Sequence, residues 1–217
     1  MNTQTQSLQP GNFIGDLQVS AILGENRRDV SYLVTDPAIG TRFVLREYLP
    51  TDLVNRDEQD RLVPVDGPSG QLFLSGLEGF LNEARIAAAL DHPNIARILR
   101  YFEANGTAYF LMPYYQGHTL RKDLDSGKRF NREEARALLL PLMEALEYIH
   151  AEGVIHQNIQ PSNIFLATNN QPVLLDFRLA AGGLGDTSLT REMEQSAYAA
   201  PEQFLPREAI GPWTDIY

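Results

Sequence analysis

The residues with the clearest chemical character stand close together between positions 154 and 166, which read V-I-H-Q-N-I-Q-P-S-N-I-F-L. Besides one histidine, His156, this segment carries four primary amides, at Gln157, Asn158, Gln160 and Asn163. A primary amide donates and accepts hydrogen bonds, but it is neither basic nor cationic at neutral pH. At its amide positions the segment therefore offers no general base and no positive charge for a phosphate.

This segment resembles the catalytic loop of protein kinases, H-R-D-x-K-P-x-N. The resemblance places His156 on the His of that pattern, Gln157 on its Arg and Asn158 on its catalytic Asp. Gln160 falls on the Lys, and Asn163 falls on the metal-binding Asn. A kinase needs the Asp to accept the proton of the substrate hydroxyl and the Lys beside the transferring phosphoryl group. Asn158 and Gln160 are therefore predicted to be degenerate catalytic positions.

Other segments resemble the remaining kinase landmarks, in the family's order and at workable spacing. They are Phe43-Val44-Leu45-Arg46 for V-A-I-K, residues 80–85 for the αC helix with its paired Glu83, 91–95 for the H-P-N-I turn, 175–178 for L-D-F-G, 200–202 for A-P-E, and 213–217 for the opening of the central C-lobe helix. The resemblance covers about residues 17 to 217 and is strongest to bacterial Ser/Thr kinases. Ordered motifs in context are far more specific than any one of them.

The resemblance implies an α+β, bilobal protein-kinase-like fold with a β-rich N-lobe and a mainly helical, incomplete C-lobe. We expect a polar N-terminal tail over residues 1–16, the N-lobe over 17–112 and a partial C-lobe over 113–217. In the family the C-lobe continues for several helices past the start of its central helix. We therefore expect the chain to be a fragment of a longer polypeptide.

Local patterns predict strands that fit this frame. Residues with strand character lie at 19–23, 30–34, 41–46 and 107–112. Residues 51–74 are polar and rich in Asp, Gly and Pro, so we expect an exposed insertion there rather than core.

Two helix starts are also visible in the sequence. Ser75-Gly76-Leu77-Glu78 is a capping-box pattern and predicts a helix that begins there. The apolar residues of this helix share one face: Leu77, Phe80, Leu81, Ala84 and Ala87. Asn131 with Glu134 predicts the start of a second helix, with its apolar face at Leu138, Leu142, Leu146 and Ile149.

Composition excludes several functional classes. The 217 residues are 43% hydrophobic, which is enough for a packed core, and no cysteine is present to form a disulfide or a thiolate site. Residues 1–12 lack the basic start and apolar stretch of a signal peptide, and no apolar run reaches the about 18 residues of a membrane span. A net charge of −10 argues against nonspecific binding to nucleic acid or anionic lipid. We therefore expect a cytoplasmic protein, with no nucleic-acid partner and no membrane contact in this segment.

The predicted hairpin between the first two strands aligns with the glycine-rich loop L-G-x-G-x-F-G-x-V-Y and keeps only Gly24. Asn26 and Asp29 replace the second and third glycines, so side chains occupy the space where backbone should approach phosphates. Asp29 also brings a negative charge towards a polyanion. Arg27 and Arg28 leave two alternatives open: they grip phosphate as bidentate donors, or they belong to a solvated turn.

Arg46 stands where the family has its phosphate-binding Lys. It keeps the positive charge but not the point geometry of an ammonium group. We therefore expect an ion pair between Arg46 and Glu83, together with poor placement of phosphate. The two lysines of the chain, Lys122 and Lys128, lie beyond the predicted N-lobe and cannot replace the missing one.

The adenine-binding positions are better preserved. By resemblance, Met112 is the gatekeeper, Pro113 and Tyr115 belong to the hinge, and Phe165 forms the floor. Adenine binding in the family uses a hinge carbonyl and a later hinge N–H, so Pro113 removes no donor that the interaction needs. Together with Gly24, Arg46 and Glu83, these are the candidate cofactor-binding residues.

Asn163 and Asp176 match the two metal ligands of the family, and hard divalent cations prefer such oxygen ligands. The alternative is that Arg178 replaces the charge of the cation by pairing with Asp176, while Asn163 bonds to its own loop. We therefore expect no cofactor, or weakly bound ATP with Mg.

Two functions from different classes compete. In the first, the chain is a pseudokinase, a regulatory or scaffolding module with an unidentified protein partner and weak or absent nucleotide binding. The alternative is a weakly active ATP-dependent Ser/Thr protein kinase, or a transferase that uses the same pocket. Loss of a positioned base typically costs about 10² to 10⁴ in rate, which favours the first.

Overall fold

The computed structural model describes four stretches of the chain: residues 6–169, 171–177, 197–204 and 209–217. They form two compact units. The first unit contains the residues up to Ala88 and those from Ile98 to Tyr114. The second unit contains Ala89–Arg97, the residues from Tyr115 to 177, and the described residues after 196.

The first unit is built on an antiparallel sheet of six strands in the order β1-β2-β3-β4-β8-β7. In chain order, its strands and its one described helix are β1 (Phe13–Ile14), β2 (Leu17–Glu25), β3 (Asp29–Asp36), β4 (Thr41–Tyr48), β5 (Val54–Arg56), β6 (Leu62–Pro64), α1 (Pro68–Ala88), β7 (Arg100–Ala104) and β8 (Thr107–Pro113). Strands β5 and β6 pair with each other in a separate small sheet. The four strands predicted from sequence are confirmed as parts of β2, β3, β4 and β8.

Alternation along the strands supplies the core of this unit. Tyr32 on β3 lies opposite Leu45 on β4, and both side chains are fully buried. Tyr48 stacks on Phe73 of α1, with ring centroids 5.5 Å apart, and Phe80 of α1 stacks on Phe110 of β8 at 4.9 Å. These aromatic contacts fix α1 against the sheet.

The prediction for residues 51–74 was wrong in part. The segment contains β5, β6 and the first turns of α1, and it buries Val54, Leu62 and Phe73. The segment is polar overall, but these three apolar residues, which are far apart in sequence, all pack into the core. Accordingly α1 begins at Pro68 rather than at Ser75, because proline suits the first turn of a helix, where its missing N–H is not needed.

The predicted N-terminal tail over residues 1–16 also includes packed residues. Leu8 and Ile14 are buried, and the Leu8 N–H donates to the Tyr32 hydroxyl at 3.0 Å. The Ser7 hydroxyl donates to Glu25 Oε1 at 2.7 Å. The described part of this stretch, residues 6–16, therefore includes residues that lie against the sheet.

The second unit contains, in chain order, β9 (Gly117–Thr119), α2 (Leu120–Asp125), α3 (Arg132–Ala151), β10 (Ile164–Ala167) and β11 (Pro172–Leu174). Its three strands pair antiparallel in the order β11-β10-β9. The predicted start of α3 is confirmed: the Asn131 side chain accepts from the N–H groups of Glu133 and Glu134, and Glu134 accepts from the Asn131 N–H, each at 2.9 Å. The buried face of α3 consists of Leu142, Ala145, Leu146 and Ile149.

Candidate functional site

The turn between β2 and β3 is held together by the side chain of Asn26. Its Oδ1 accepts from the N–H groups of Arg28 (2.8 Å) and Asp29 (3.0 Å), and its Nδ2 donates to Asp29 Oδ1 (3.0 Å). Asparagine commonly closes tight turns by such bonds to nearby backbone. The residue at the second glycine position thus builds the turn. Gly24, before the turn, is exposed, and a Cβ there would meet no atom within 4 Å.

Two buried ion pairs lie around this turn, and both include a residue of the turn itself. Arg46 pairs with Asp29, with NH2 and Oδ2 2.7 Å apart, and Glu83 pairs with Arg28 at 3.4 Å. All four side chains are buried. The Asn26 turn brings the Asp29 carboxylate to the Arg46 guanidinium, and the pairing of Arg46 with Glu83 stays a prediction.

The two arginines of the turn differ in their exposure to solvent. Arg27 is exposed, as expected for a solvated turn, whereas Arg28 is buried against Glu83. Arg46, at the phosphate-binding position, already has a carboxylate partner. The turn thus holds two guanidinium groups and two carboxylates in buried ion pairs.

The candidate adenine-binding residues are divided between the units. On β8, Met112 lies opposite Val44 and Pro113 lies opposite Phe43. In the second unit the rings of Tyr115 and Phe165 are neighbours, with centroids 6.4 Å apart. Met112 and Pro113 therefore lie together on β8 of the first unit, and Tyr115 and Phe165 lie together in the second unit.

The amides of the catalytic-loop segment bond to one another and to nearby backbone. Gln160 Nε2 donates to Asn158 Oδ1 at 3.0 Å, and Asn158 Nδ2 donates to the Asp176 carbonyl at 3.2 Å. Asn163 Nδ2 donates to the Asn158 carbonyl at 3.0 Å. The second unit thus brings together Asn158, Gln160 and Asn163 in one network of neutral amides, which Asp176 joins through its backbone carbonyl. The predicted bond of Asn163 to its own loop is confirmed.

Asp215 organises the start of this segment, a role that the sequence reasoning missed. Its carboxylate accepts from the N–H groups of His156 (2.8 Å) and Gln157 (2.6 Å), and it contacts His150 Nε2 at 2.8 Å. Gln157 has a φ of +60°, a left-handed conformation that costs a non-glycine residue roughly 1–2 kcal/mol. The hydrogen bond that the Gln157 N–H donates to the Asp215 carboxylate offsets the cost of this backbone conformation. The only feature of the sequence that could have indicated this role is that Asp215 is the single acid within residues 213–217.

The two positions that match the metal ligands of the family, Asn163 and Asp176, offer few oxygen atoms to a metal ion. Asn163 uses its amide nitrogen within the loop, which leaves Oδ1 as its oxygen donor. Asp176 supplies a carboxylate from a left-handed backbone, with a φ of +63°. Within the described stretches, no three His, Cys, Asp or Glu residues cluster as metal ligands would. Arg178, predicted to lie beside Asp176, is outside the described residues.

A small polar cavity opens beside the amide network. The residues that line it are Gln157, Asn158, Ile159, Gln160, Tyr198, Ala199 and Gln203. None of these side chains is charged at neutral pH. One wall is fixed by Gln203, whose Nε2 donates to the Gln157 carbonyl at 2.8 Å.

Comparison with known proteins identifies the family. Residues 71–217 match the protein kinase domain model, so the chain belongs to the protein kinase family. Among solved structures, the apo form of PpkA-294 superposes with a TM-score of 0.85 at 32% identity, covering 98% of this chain and 75% of that one. The kinase-like α+β fold predicted from the sequence is confirmed.

Two curated relatives are kinases, and one of them is named as a probable serine/threonine-protein kinase. A probable serine/threonine-protein kinase of Streptomyces coelicolor is 31% identical over 140 residues, which cover 63% of this chain and 21% of that protein. The hormonally up-regulated neu tumor-associated kinase homolog of Xenopus tropicalis is 35% identical over 138 residues, which cover 62% and 20%. The chain thus spans about a fifth of the length of these relatives. In the stretches that the structure describes, no helix has the length and apolar character needed to cross a membrane.

Proposed function

We propose that this member of the kinase family is a pseudokinase, a regulatory or scaffolding module that binds a protein partner and transfers little or no phosphate. The observation that carries the proposal is the 3.0 Å hydrogen bond between Gln160 Nε2 and Asn158 Oδ1. In the family these two positions hold the base and a cation that neutralises phosphate. Here two neutral amides satisfy each other, and neither can perform those tasks.

Weak or absent nucleotide binding is part of the proposal. It is supported by the buried pair of Arg46 with Asp29, because Arg46 would have to exchange this carboxylate for a phosphate. Removing a partner from a buried ion pair typically costs about 3–5 kcal/mol. The proposal also includes a cytoplasmic location and a protein partner. The net charge of −10 argues against a nucleic-acid partner.

The second candidate is a weakly active Ser/Thr kinase or a transferase that uses the same pocket. One observation favours it: Asn163 and Asp176, the metal-ligand positions of the family, keep oxygen donors.

A phosphotransfer assay tests the proposal. The chain is incubated with radiolabelled ATP and Mg or Mn, alone and with a generic protein substrate, and we expect no labelling. Asn158→Asp should stay inactive, because Gln160 and the paired Arg46 are unchanged. Stoichiometric, time-dependent labelling that disappears in Asp176→Ala would establish the second candidate.

A further inference from the structure

Residues 6–8, which we call the N-terminal strap, lie outside the strands and pack like a bound peptide against the first unit. Arg56 Nε donates to the Gln6 carbonyl, and the Leu8 N–H donates to the Tyr32 hydroxyl at 3.0 Å. The backbone of the strap is therefore held at two points, a carbonyl and an N–H, by side chains of the folded unit.

The side chains of the strap are also enclosed by the unit. Gln6 Nε2 donates to the Val54 carbonyl at 3.1 Å, and the Ser7 hydroxyl donates to Glu25 Oε1 at 2.7 Å. Ser7 and Leu8 are only 3% and 2% exposed. The unit thus accepts a carboxamide, a hydroxyl and an apolar side chain in this order, and the two polar groups find hydrogen-bond partners.

The groups that hold the strap are positioned by contacts that do not involve it. Arg56 lies on β5, where its NH2 pairs with Glu47 at 2.8 Å and its NH1 donates to the Asp60 carbonyl at 2.7 Å. The neighbouring strand β6 is joined to the turn between β7 and β8, because the Leu62 N–H donates to the Asn105 carbonyl at 2.8 Å. These groups form a preorganised site, which reduces the free-energy cost of binding a segment from another chain.

A tight turn connects the strap to β1. The Asn12 N–H donates to the Gln9 carbonyl at 3.0 Å across Pro10 and Gly11, and Gly11 has a φ of +100°. A turn of this kind favours proline at its second residue and needs the positive φ of glycine at its third. The short connection keeps the strap near its site at a high effective concentration, on the order of millimolar.

We propose that the strap is a tethered ligand in a peptide-binding site, and that a partner protein binds the first unit by placing a Gln-Ser-Leu segment there instead of the strap. The strap itself shows which side chains this site accepts. The inference rests on the proposed function as a partner-binding module and names the surface and the chemistry of the partner. A free peptide has to compete with the strap, so its apparent affinity falls with the fraction of molecules whose site is open.

Fluorescence anisotropy of the full chain with a labelled synthetic peptide of residues 4–10, Q-T-Q-S-L-Q-P, tests this. Leu8→Asp places a charge at a buried position and so releases the strap. Gly11→Val, a second variant in case the first folds poorly, strains the turn and leaves the strap residues unchanged. Gly40→Val is the matched control: Gly40 also has a positive φ, +67°, and at both glycines an added Cβ would meet no atom within 4 Å. Circular dichroism reports whether each variant is folded.

We expect folded Leu8→Asp to bind the peptide at least about tenfold more tightly than the wild type or Gly40→Val does, and Gly11→Val to show a smaller gain. The peptide should also raise the thermal midpoint of Leu8→Asp, because a ligand of the folded state stabilises that state. A peptide with aspartate in place of its leucine should show neither effect, since the site buries this side chain.

The inference is overturned if the folded variants bind the peptide no better than the wild type, or if the aspartate peptide binds equally well, because the strap is then only a structural part of the unit. A wild-type dimer in light scattering that Leu8→Asp dissociates would also overturn it, since a second copy rather than a partner would then supply the segment. Each of these results leaves an absence of phosphotransfer untouched. Conversely, labelling in the radiolabelled ATP assay would overturn the proposed function whatever the strap does.

Discussion

The His156 ring shows how single residues of the catalytic-loop segment are fixed. Its Nε2 contacts the Leu175 carbonyl at 3.1 Å, while its Nδ1 accepts from the Asn158 N–H at 3.2 Å. The ring is fully buried and packs against Phe177 in a tilted arrangement, with centroids 4.4 Å apart. Burial lowers the pKa of His156 below its usual value, although the carboxylates of Asp215 and Asp176 act in the opposite direction. A second proton would break the bond to Asn158, so the folded protein holds this imidazole neutral.

Acidification should therefore destabilise the protein through His156. Because the pKa is lower in the folded state, the unfolded chain takes up a proton first, and stability present above pH about 6.5 is lost as the pH falls towards the folded pKa. One such proton accounts for up to about 1.4 kcal/mol per pH unit in the free energy of unfolding. Urea unfolding between about pH 7.5 and 5.5 should show this slope.

His156→Gln, which cannot take up a proton, should have a shallower slope than the wild type. His92→Gln serves as the control for the loss of a histidine that is not fully buried. Equal slopes for the wild type and His156→Gln would show that other groups cause the pH dependence.

At the scale of elements, the position of α1 depends on one close approach. A Cβ added to Gly76 would overlap the Tyr48 hydroxyl. The Tyr48 ring has little room to yield, because it is buried and packs on Phe73 and Phe80, with centroids 5.5 and 5.6 Å away. The absence of a side chain at Gly76 lets the helix lie this close to β4.

Gly76→Ala should therefore destabilise the protein by about 1–3 kcal/mol, the usual cost of overpacking a core. Gly70→Ala on the same helix is the matched control. A Cβ at Gly70 would make only ordinary contacts, at 3.6 Å to the Val65 carbonyl oxygen and 3.8 Å to Pro64 Cβ. At position 70 the higher helix propensity of alanine should stabilise the folded protein by about 0.5–1 kcal/mol. Urea midpoints that shift in the same direction for both variants would contradict this account of α1.

At the scale of the whole molecule, one buried charge, Glu47, connects distant parts of the first unit. Its carboxylate accepts from the hydroxyls of Tyr32 and Tyr109, each at 2.7 Å, and pairs with Arg56 at 2.8 Å. Burial first, and then the charge of Glu47, raises the pKa of both tyrosines. Arg56 also donates to the Gln6 carbonyl, so one network joins the N-terminal stretch, β5 and the main sheet.

Arg56→Ala should destabilise the protein by about 3–5 kcal/mol, because it leaves the Glu47 charge buried with its strongest partner removed. Arg61→Ala is the matched control: its ion pair with Asp57, at 3.0 Å, is on the surface, with the arginine side chain 62% exposed. Exposed pairs add little to stability. Thermal unfolding by circular dichroism should separate the two variants clearly, and similar losses would show that the buried network is not what stabilises this unit.

The sequence by itself determined what depends on local pattern and residue type. The segments with strand character and the Asn131 cap predicted β2, β3, β4, β8 and the start of α3 correctly, and the order of the motifs predicted the kinase-like fold. The amides at Asn158 and Gln160 are neutral whatever surrounds them, so the loss of the base and the cation could be read directly. These features depend on neighbouring residues or on the chemistry of one side chain.

The tertiary structure alone decided which charges pair and which polar segments are buried. The sequence analysis paired Arg46 with Glu83 and did not foresee its ion pair with Asp29, which the turn built by Asn26 brings close. Val54 and Leu62 sit in a segment that looks exposed by composition, and Asp215 reaches back to the N–H groups of His156 and Gln157, more than fifty residues away in sequence. Ion pairing and burial depend on distances in space, which sequence spacing does not fix once a chain folds back on itself.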